Sequence, residues 1–389
     1  MDDFARSLDS LDSPGAAPRP IPVWLDCDPG HDDAMAIILA AYDPRLQLLG
    51  ISTLVGKALS RHQAISKKEQ QQKLLPLAQV TRNALDVLSI AGVVGVDVVQ
   101  GQARPLLRPS PLLCPEIHGE SGLDGQRRGR TTNAQRPPDA HAARVLLIRS
   151  PEGGPVLPHG GGQALPGKAP VVMAERIGAF LAENPRAAPV RLICTGALTN
   201  AALLLMLYPE LHSSLEIVIM GGALGVGNTG PVMEFNIQTD PEAAKVVFEA
   251  GLPLTMVPIE VTHTALVTPE VLGRLLTSRP GISKFKVLIE QLLTFFAGTY
   301  REVFKFTDPP LHDPCAVAYV ADPSIFEVEE MRVDIETASP LSAGQTVCDV
   351  WHQTGRPKNC RVARSMDVNA FWGIMIDALD FADIATPLR

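Results

Sequence analysis

The sequence has no excess of basic charge. It holds 34 Lys and Arg against 42 Asp and Glu, for a net charge of −8 and a pI near 5.6. Nucleic-acid binders usually carry a basic face, so that class is disfavoured. No apolar run reaches the roughly 20 residues that a transmembrane helix needs. The opening stretch, MDDFARSLDSLDSPGAAPRP, is acidic and lacks an apolar core, which argues against a secretory signal. Residues 1–20 are expected to be a disordered lead-in. The six cysteines, Cys27, Cys114, Cys194, Cys315, Cys348 and Cys360, include no CxxC pair. Cys27 and Cys194 lie in or beside apolar runs, where free thiols act as small core residues. Disulfides are not expected, and a cytoplasmic location is. There is no P-loop and no GxGxxG after a strand, so a nucleotide-phosphate cradle has no support. Internal repeats are also absent.

What is present is a globular pattern, with 46% hydrophobic and 20% charged residues over 389 positions. Strand-like runs are PVWLD, LQLLGIST, VGVDVV, PVRLICTG, LEIVIMGG and PLTMVPIE. Helix-like runs, DDAMAIILAAY, TRNALDVLSIAG, TNAALLLMLY and PEAAKVVFEAG, follow most of them. Several strands are apolar throughout instead of alternating, so both faces should be covered. The expected fold is an open, mostly parallel, doubly wound (Rossmann-like) α/β sheet with helices on both faces. FEVEEMRVDIET, TVCDVWH and CRVARS predict a small antiparallel C-terminal addition, and VNAFWGIMIDALDF a final helix. One domain is expected over 21–389. Two segments break the pattern: polar Lys57–Gln79, where a short loop is expected, and the Gly/Pro-rich loop 151–170.

The densest chemistry is WLDCDPGHDDAMAI, which places Asp26, Asp28, Asp32 and Asp33 within eight positions. Ligands of an open α/β sheet collect beyond the carboxyl ends of its strands, and this loop lies there. One acid at a helix start is an ordinary cap; four would repel one another, and a bound cation compensates. An EF-hand fails, because His31 falls where Gly is needed and Ile37 where Glu is needed. An all-oxygen donor set suits Ca²⁺ or Mg²⁺ better than zinc. A phosphatase of the haloacid dehalogenase type also begins Asp-x-Asp, but typically continues Gly-Thr where this chain has Pro29-Gly30. Further along, GNTGPVMEFNIQTDPEAA carries Asn228, Glu234 and Asn236, and PPLHDPCAVAY carries His312 and Asp313. The Asn and Glu side chains suit hydroxyl recognition, and together these residues sketch a metal site beside a polyol pocket. Asp240, before Pro241, reads as a helix cap.

DCDPGHDDAMAI, IHGESGLDG, CTGALTN, MGGALGVGNTGPVMEFNIQTDPEAA, VTHTALVT and LHDPCAVAY together resemble the inosine/uridine-preferring nucleoside hydrolases, in family order, over about Pro22 to Asp380. The resemblance implies hydrolysis of ribonucleosides to base and ribose, a bound Ca²⁺, and a homodimer or homotetramer. It implies metal ligands Asp28, Asp33, Asp313 and the Thr195 carbonyl, with Asp28 also taking a proton from the Ca²⁺-bound water. Asp32 would bind the 2′-hydroxyl, Asn236 the 3′-hydroxyl, and Asn228 and Glu234 the 5′-hydroxyl. Asp26 would support the others. His312 would assist the leaving base, with Tyr300 or Phe304 against it. One position departs from the pattern: the family has Asn after the second strand, and TLVGK puts Lys57 there. Gly56-Lys57 can be encoded GGTAAG and Gln79 CAG, which reads as an intron carried into the coding sequence. A catalytically impaired nucleoside-binding or ribose-binding relative is therefore an alternative, and a phosphohydrolase a further one.

Overall fold

The computed structural model describes residues 19–55, 75–109, 148–149, 155–156, 162–303 and 306–388. The lead-in to position 18, Lys57 and its segment to 74, Cys114, the IHGESGLDG match, positions 151–154 and 157–161 of the loop 151–170, and Phe304 lie outside them.

The chain starts with β1 (Ile21–Cys27), α1 (His31–Tyr42) and β2 (Leu46–Thr53). Next come α2 (Leu75–Ala91), β3 (Asp97–Gln100) and the two-residue strands β4 (Ile148–Arg149) and β5 (Pro155–Val156). α3 (Ala169–Glu183), β6 (Val190–Cys194), α4 (Thr199–Leu207) and β7 (Leu215–Met220) follow. The next units are α5 (Phe235–Thr239), α6 (Pro241–Glu249), β8 (Leu254–Val257) and α7 (Ile259–Thr262). Then come α8 (Pro269–Thr277), α9 (Lys284–Val303) and α10 (Pro314–Ala321). The chain closes with β9 (Phe326–Met331), β10 (Val333–Ile335), β11 (Thr346–Cys348), β12 (Cys360–Met366) and α11 (Val368–Ala385).

Eight strands form one sheet in the order β3-β2-β1-β6-β7-β8-β12-β9, parallel except for the last pair. The period of two along each strand divides its side chains between two cores. Val23, Leu25 and Cys27 of β1 enter one core with residues of α1, α9, α10 and α11. Trp24 enters the other, with residues of α3, α4 and α6. The doubly wound expectation is met, and the apolar strands are apolar because helices cover both faces. The C-terminal addition divides. β10 and β11 form a separate antiparallel pair, whereas β12 joins the main sheet, parallel to β8 and antiparallel to β9. α2 begins at Leu75, earlier than the predicted start at Thr81, because Leu77 and Val80 bury against Ala103 and the Thr81 hydroxyl donates to the Leu77 carbonyl. The last five residues of Lys57–Gln79 are thus helical. Among the described residues no helix is long and apolar enough to cross a membrane.

Candidate active site

Strand order reverses between β1 and β6, and the crevice beyond that point is where an open α/β sheet binds ligands. The loops after β1 and β6 carry DPG and TGALT.

Asp26, Asp28, Asp33 and Asp313 are 0% exposed and Asp32 is 2% exposed, so the acids form part of the interior. Asp26 is held from the scaffold. Trp24 Nε1 donates to Ser52 Oγ at 3.0 Å, Ser52 Oγ donates to Asp26 Oδ1 at 2.5 Å, and Asn200 Nδ2 donates to the same oxygen at 2.8 Å. Burial lifts the Asp26 acid to about 7, against the pull of those two donors. Asp28 lies over Gly196: a Cβ there would stand 2.9 Å from Asp28 Oδ1, so the loop after β6 needs glycine at that position. Asp33 sits in the first turn of α1. Its Oδ2 accepts the Gly30 N–H at 3.1 Å and its Oδ1 accepts the Thr195 hydroxyl at 2.8 Å.

Asp32, Asp33 and Asp313 each bring an oxygen to within 4.8 Å of the others. At that spacing two carboxylates repel by on the order of 3 kcal/mol at an effective dielectric near 20. An all-carboxylate, buried donor set fits a hard cation such as Ca²⁺ or Mg²⁺. Cys27 is not among the convergent groups, and burial first, with the neighbouring acids second, pushes its thiol well up. The convergent trio includes Asp32, which the resemblance assigns to the sugar. Asp28 is outside it.

The Asn236 amide is oriented by its surroundings. Nδ2 donates to the carbonyls of Thr195 at 3.0 Å and Met220 at 2.9 Å, which uses both amide hydrogens. Oδ1 is buried and has no hydrogen-bond partner among the described residues, so an acceptor is what Asn236 offers a ligand. Glu234 caps α5: its oxygens accept N–H groups from Asn236 at 3.0 Å and Ile237 at 3.3 Å, and Oε2 accepts Gly222 N–H at 2.9 Å. Glu234→Gln should lower stability by about 1–3 kcal/mol, because an NH₂ then faces buried N–H donors. A thermal melt equal to wild type would remove this capping role. Asn228 closes the preceding loop by accepting Phe235 N–H at 3.0 Å.

His312 is held at both nitrogens, by Thr262 Oγ1 on Nδ1 at 2.7 Å and the Tyr300 hydroxyl on Nε2 at 2.9 Å. His263 and Phe306 complete an aromatic group, with His263 5.4 Å from His312 and 5.2 Å from Phe306 between ring centroids. Burial lowers the His263 pKa, with Glu260 opposing. Tyr300 thus touches His312, as part of a buried network.

Sequence reasoning did not single out Thr262, His263, Asn200 or Asn83. Asn83 Nδ2 donates to the Pro29 carbonyl at 2.9 Å and supports the acidic loop from α2. Thr262, His263 and Asn200 fall inside VTHTALVT and CTGALTN, and those segments were the available signal.

Residues 23–373 match the family described as inosine-uridine preferring nucleoside hydrolase. A probable ribonucleoside hydrolase of Dictyostelium discoideum is 39% identical over 365 residues, 92% of this chain and 94% of that protein. The pyrimidine-specific ribonucleoside hydrolase RihA of Shewanella sp. (strain ANA-3) is 36% identical over 360 residues, 92% of this chain and 96% of that protein. Among solved structures, a purine-preferring ribonucleoside hydrolase from Gardnerella vaginalis superposes with a TM-score of 0.72 at 25% identity, covering 93% of this chain and 99% of that one.

Proposed function

This chain belongs to the inosine-uridine preferring nucleoside hydrolase family, and from that premise we propose how its site cleaves the N-glycosidic bond of a ribonucleoside. The observation that carries the proposal is the meeting of buried carboxylates from the start of α1 and the start of α10 beside the β1/β6 crevice. The ion would be Ca²⁺, which Asp28, Asp33, Asp313 and the Thr195 carbonyl would hold, with Asp32 brought close to Asp33 and Asp313. Bound there, Ca²⁺ supplies orientation to the attacking water and the sugar diol.

The chain's own groups do the rest. Asp28 takes the proton from the attacking water as general base. Asp32 accepts the 2′-hydroxyl, Asn236 Oδ1 the 3′-hydroxyl, and Asn228 with Glu234 holds the 5′-hydroxyl. The transition state carries positive charge on the sugar, and the surrounding carboxylates stabilise it more than the neutral ground state. The base departs with a proton supplied from the His312 and Tyr300 pair. For that, His312 enters protonated: Nε2–H passes to the Tyr300 oxygen as the Tyr300 hydroxyl proton passes to the base, while Nδ1–H stays on the Thr262 oxygen, whose own hydrogen can point to the Ile259 carbonyl at 3.4 Å.

His312→Gln should cut kcat on natural nucleosides by about 10²-fold or more, the scale of general acid catalysis. It should leave 4-nitrophenyl riboside, whose leaving group needs no proton, nearly unaffected. Equal losses on both would take His312 out of leaving-group chemistry. Assembly as a homodimer or homotetramer and a cytoplasmic location belong to the same reading; the five cysteines in the described residues are free, in keeping with a reducing compartment. The experiment that tests the function is ribose release from a panel of purine and pyrimidine nucleosides. Ribose binding without release would favour the impaired relative, and phosphate release from phosphate esters the phosphohydrolase.

A further inference from the structure

The backbone leaving β7 runs through four successive N–H groups, and every one donates to a side chain from a different part of the fold. Gly222 N–H reaches Glu234 Oε2 at 2.9 Å and Ala223 N–H reaches Thr346 Oγ1 at 2.9 Å. Leu224 N–H and Gly225 N–H both reach Glu260 Oε1, at 2.8 and 3.0 Å. Thr346 returns a bond from its own hydroxyl to the Ala223 carbonyl at 2.5 Å. A segment like this has no ladder of its own, so these side chains replace the ladder. The path is also fixed sterically: Gly222 has φ +78°, and a Cβ there would lie 2.7 Å from Met256 Sδ and 2.9 Å from Thr346 Cγ2.

This ribbon leads directly into the loop that carries Asn228, itself tied by Asn228 N–H to the Met233 carbonyl at 3.0 Å. Glu260 therefore sets the outer end of the ribbon and, through it, the place of Asn228. Glu260 also belongs to α7, the single helical turn whose Thr262 holds His312. Glu260 thus connects the segment leading to the loop with Asn228 to the helical turn that holds the histidine. Its second oxygen, Oε2, is buried with no hydrogen-bond partner among the described residues. A group kept there only for stability would be poorly chosen, since a buried unsatisfied oxygen is unfavourable.

We infer that Glu260 is a positioning residue for the 5′ end of the sugar, acting by clamping Leu224 and Gly225 and so placing Asn228. The inference rests on the proposed role of Asn228. Glu260→Ala should raise KM for ribonucleosides about tenfold, the scale of losing hydrogen bonds to a charged acceptor, with a smaller change in kcat. For 5′-deoxyribonucleosides KM should move about twofold or less, since the hydroxyl that Asn228 would hold is missing. Glu260→Gln should restore most of the binding, because its amide oxygen still accepts both N–H groups. A residue needed only for folding would penalise both substrates alike.

Native-state hydrogen exchange gives a second readout that needs no turnover. In Glu260→Ala the Leu224 and Gly225 amides, and those near Asn228, should exchange about tenfold faster or more, while the β1 and β6 amides stay as in wild type. If the wild type hydrolyses no nucleoside, the functional reading falls, and exchange alone decides the clamp. Equal KM penalties on both substrate types, or unchanged exchange at Leu224 and Gly225, would overturn the inference.

Discussion

Asp33→Asn should invert the order of stability between metal-free and metal-loaded protein. Without metal, the variant removes one charge from three acids whose oxygens lie within 4.8 Å. The amide can turn its oxygen to the Gly30 N–H and its NH₂ to the Thr195 hydroxyl oxygen, which keeps both contacts, so the metal-free variant should melt at or above the metal-free wild type. With Ca²⁺ the sign reverses. An ion that binds only the folded chain stabilises it by about 2.7 kcal/mol at a hundred times its Kd. The wild type should gain this and the variant should lose most of it. Elemental analysis after dialysis should find the ion on the wild type alone. A wild type that stays metal-free in saturating Ca²⁺, or melts at the same temperature with and without it, refutes the metal proposal.

Asp28→Asn should lower kcat by about 10²–10⁴-fold, the range that one general base contributes. The amide can still hydrogen bond with water but cannot take its proton. Because Asp28 presses on Gly196, the isosteric change disturbs the packing little, and the fold should survive. The acid-side limb of the pH profile of kcat should disappear with the carboxylate. A variant with KM raised and kcat preserved would mean that Asp28 only binds.

The acidic loop was legible because its chemistry is local: four acids in eight positions, at a strand-to-helix junction, need no tertiary information to be noticed. The two-sided sheet was legible for a similar reason, since apolar runs such as VRLIC can be satisfied only when both faces are covered. What could not be read depends on pairs far apart in the chain. Asn200 reaches Asp26 across 174 positions and Thr346 reaches Ala223 across 123, and no spacing rule connects them. Glu260 looks like an ordinary acid in the first turn of a short helix until its partners are known. Glu234 has the opposite history: read as a sugar contact, it is also a helix cap. The partner of Tyr300 was hidden because helix periodicity gives a face but not what that face meets. The direction of β12 was hidden because a strand's sequence says little about whether its neighbours run with it or against it.

The placement of β12 also governs how the protein can be made. It is the last strand to leave the ribosome, yet it lies between β8 and β9, in the interior of the sheet. Until Cys360–Met366 emerge, β9 has no neighbour in the main sheet and β8 keeps an open edge. Open edges recruit other strands, so the nascent chain is exposed to mispairing from the emergence of β8 until that of β12. A premature stop anywhere before Cys360 therefore does not trim the periphery: it leaves a gap between β8 and β9 and takes α11 from one of the two cores.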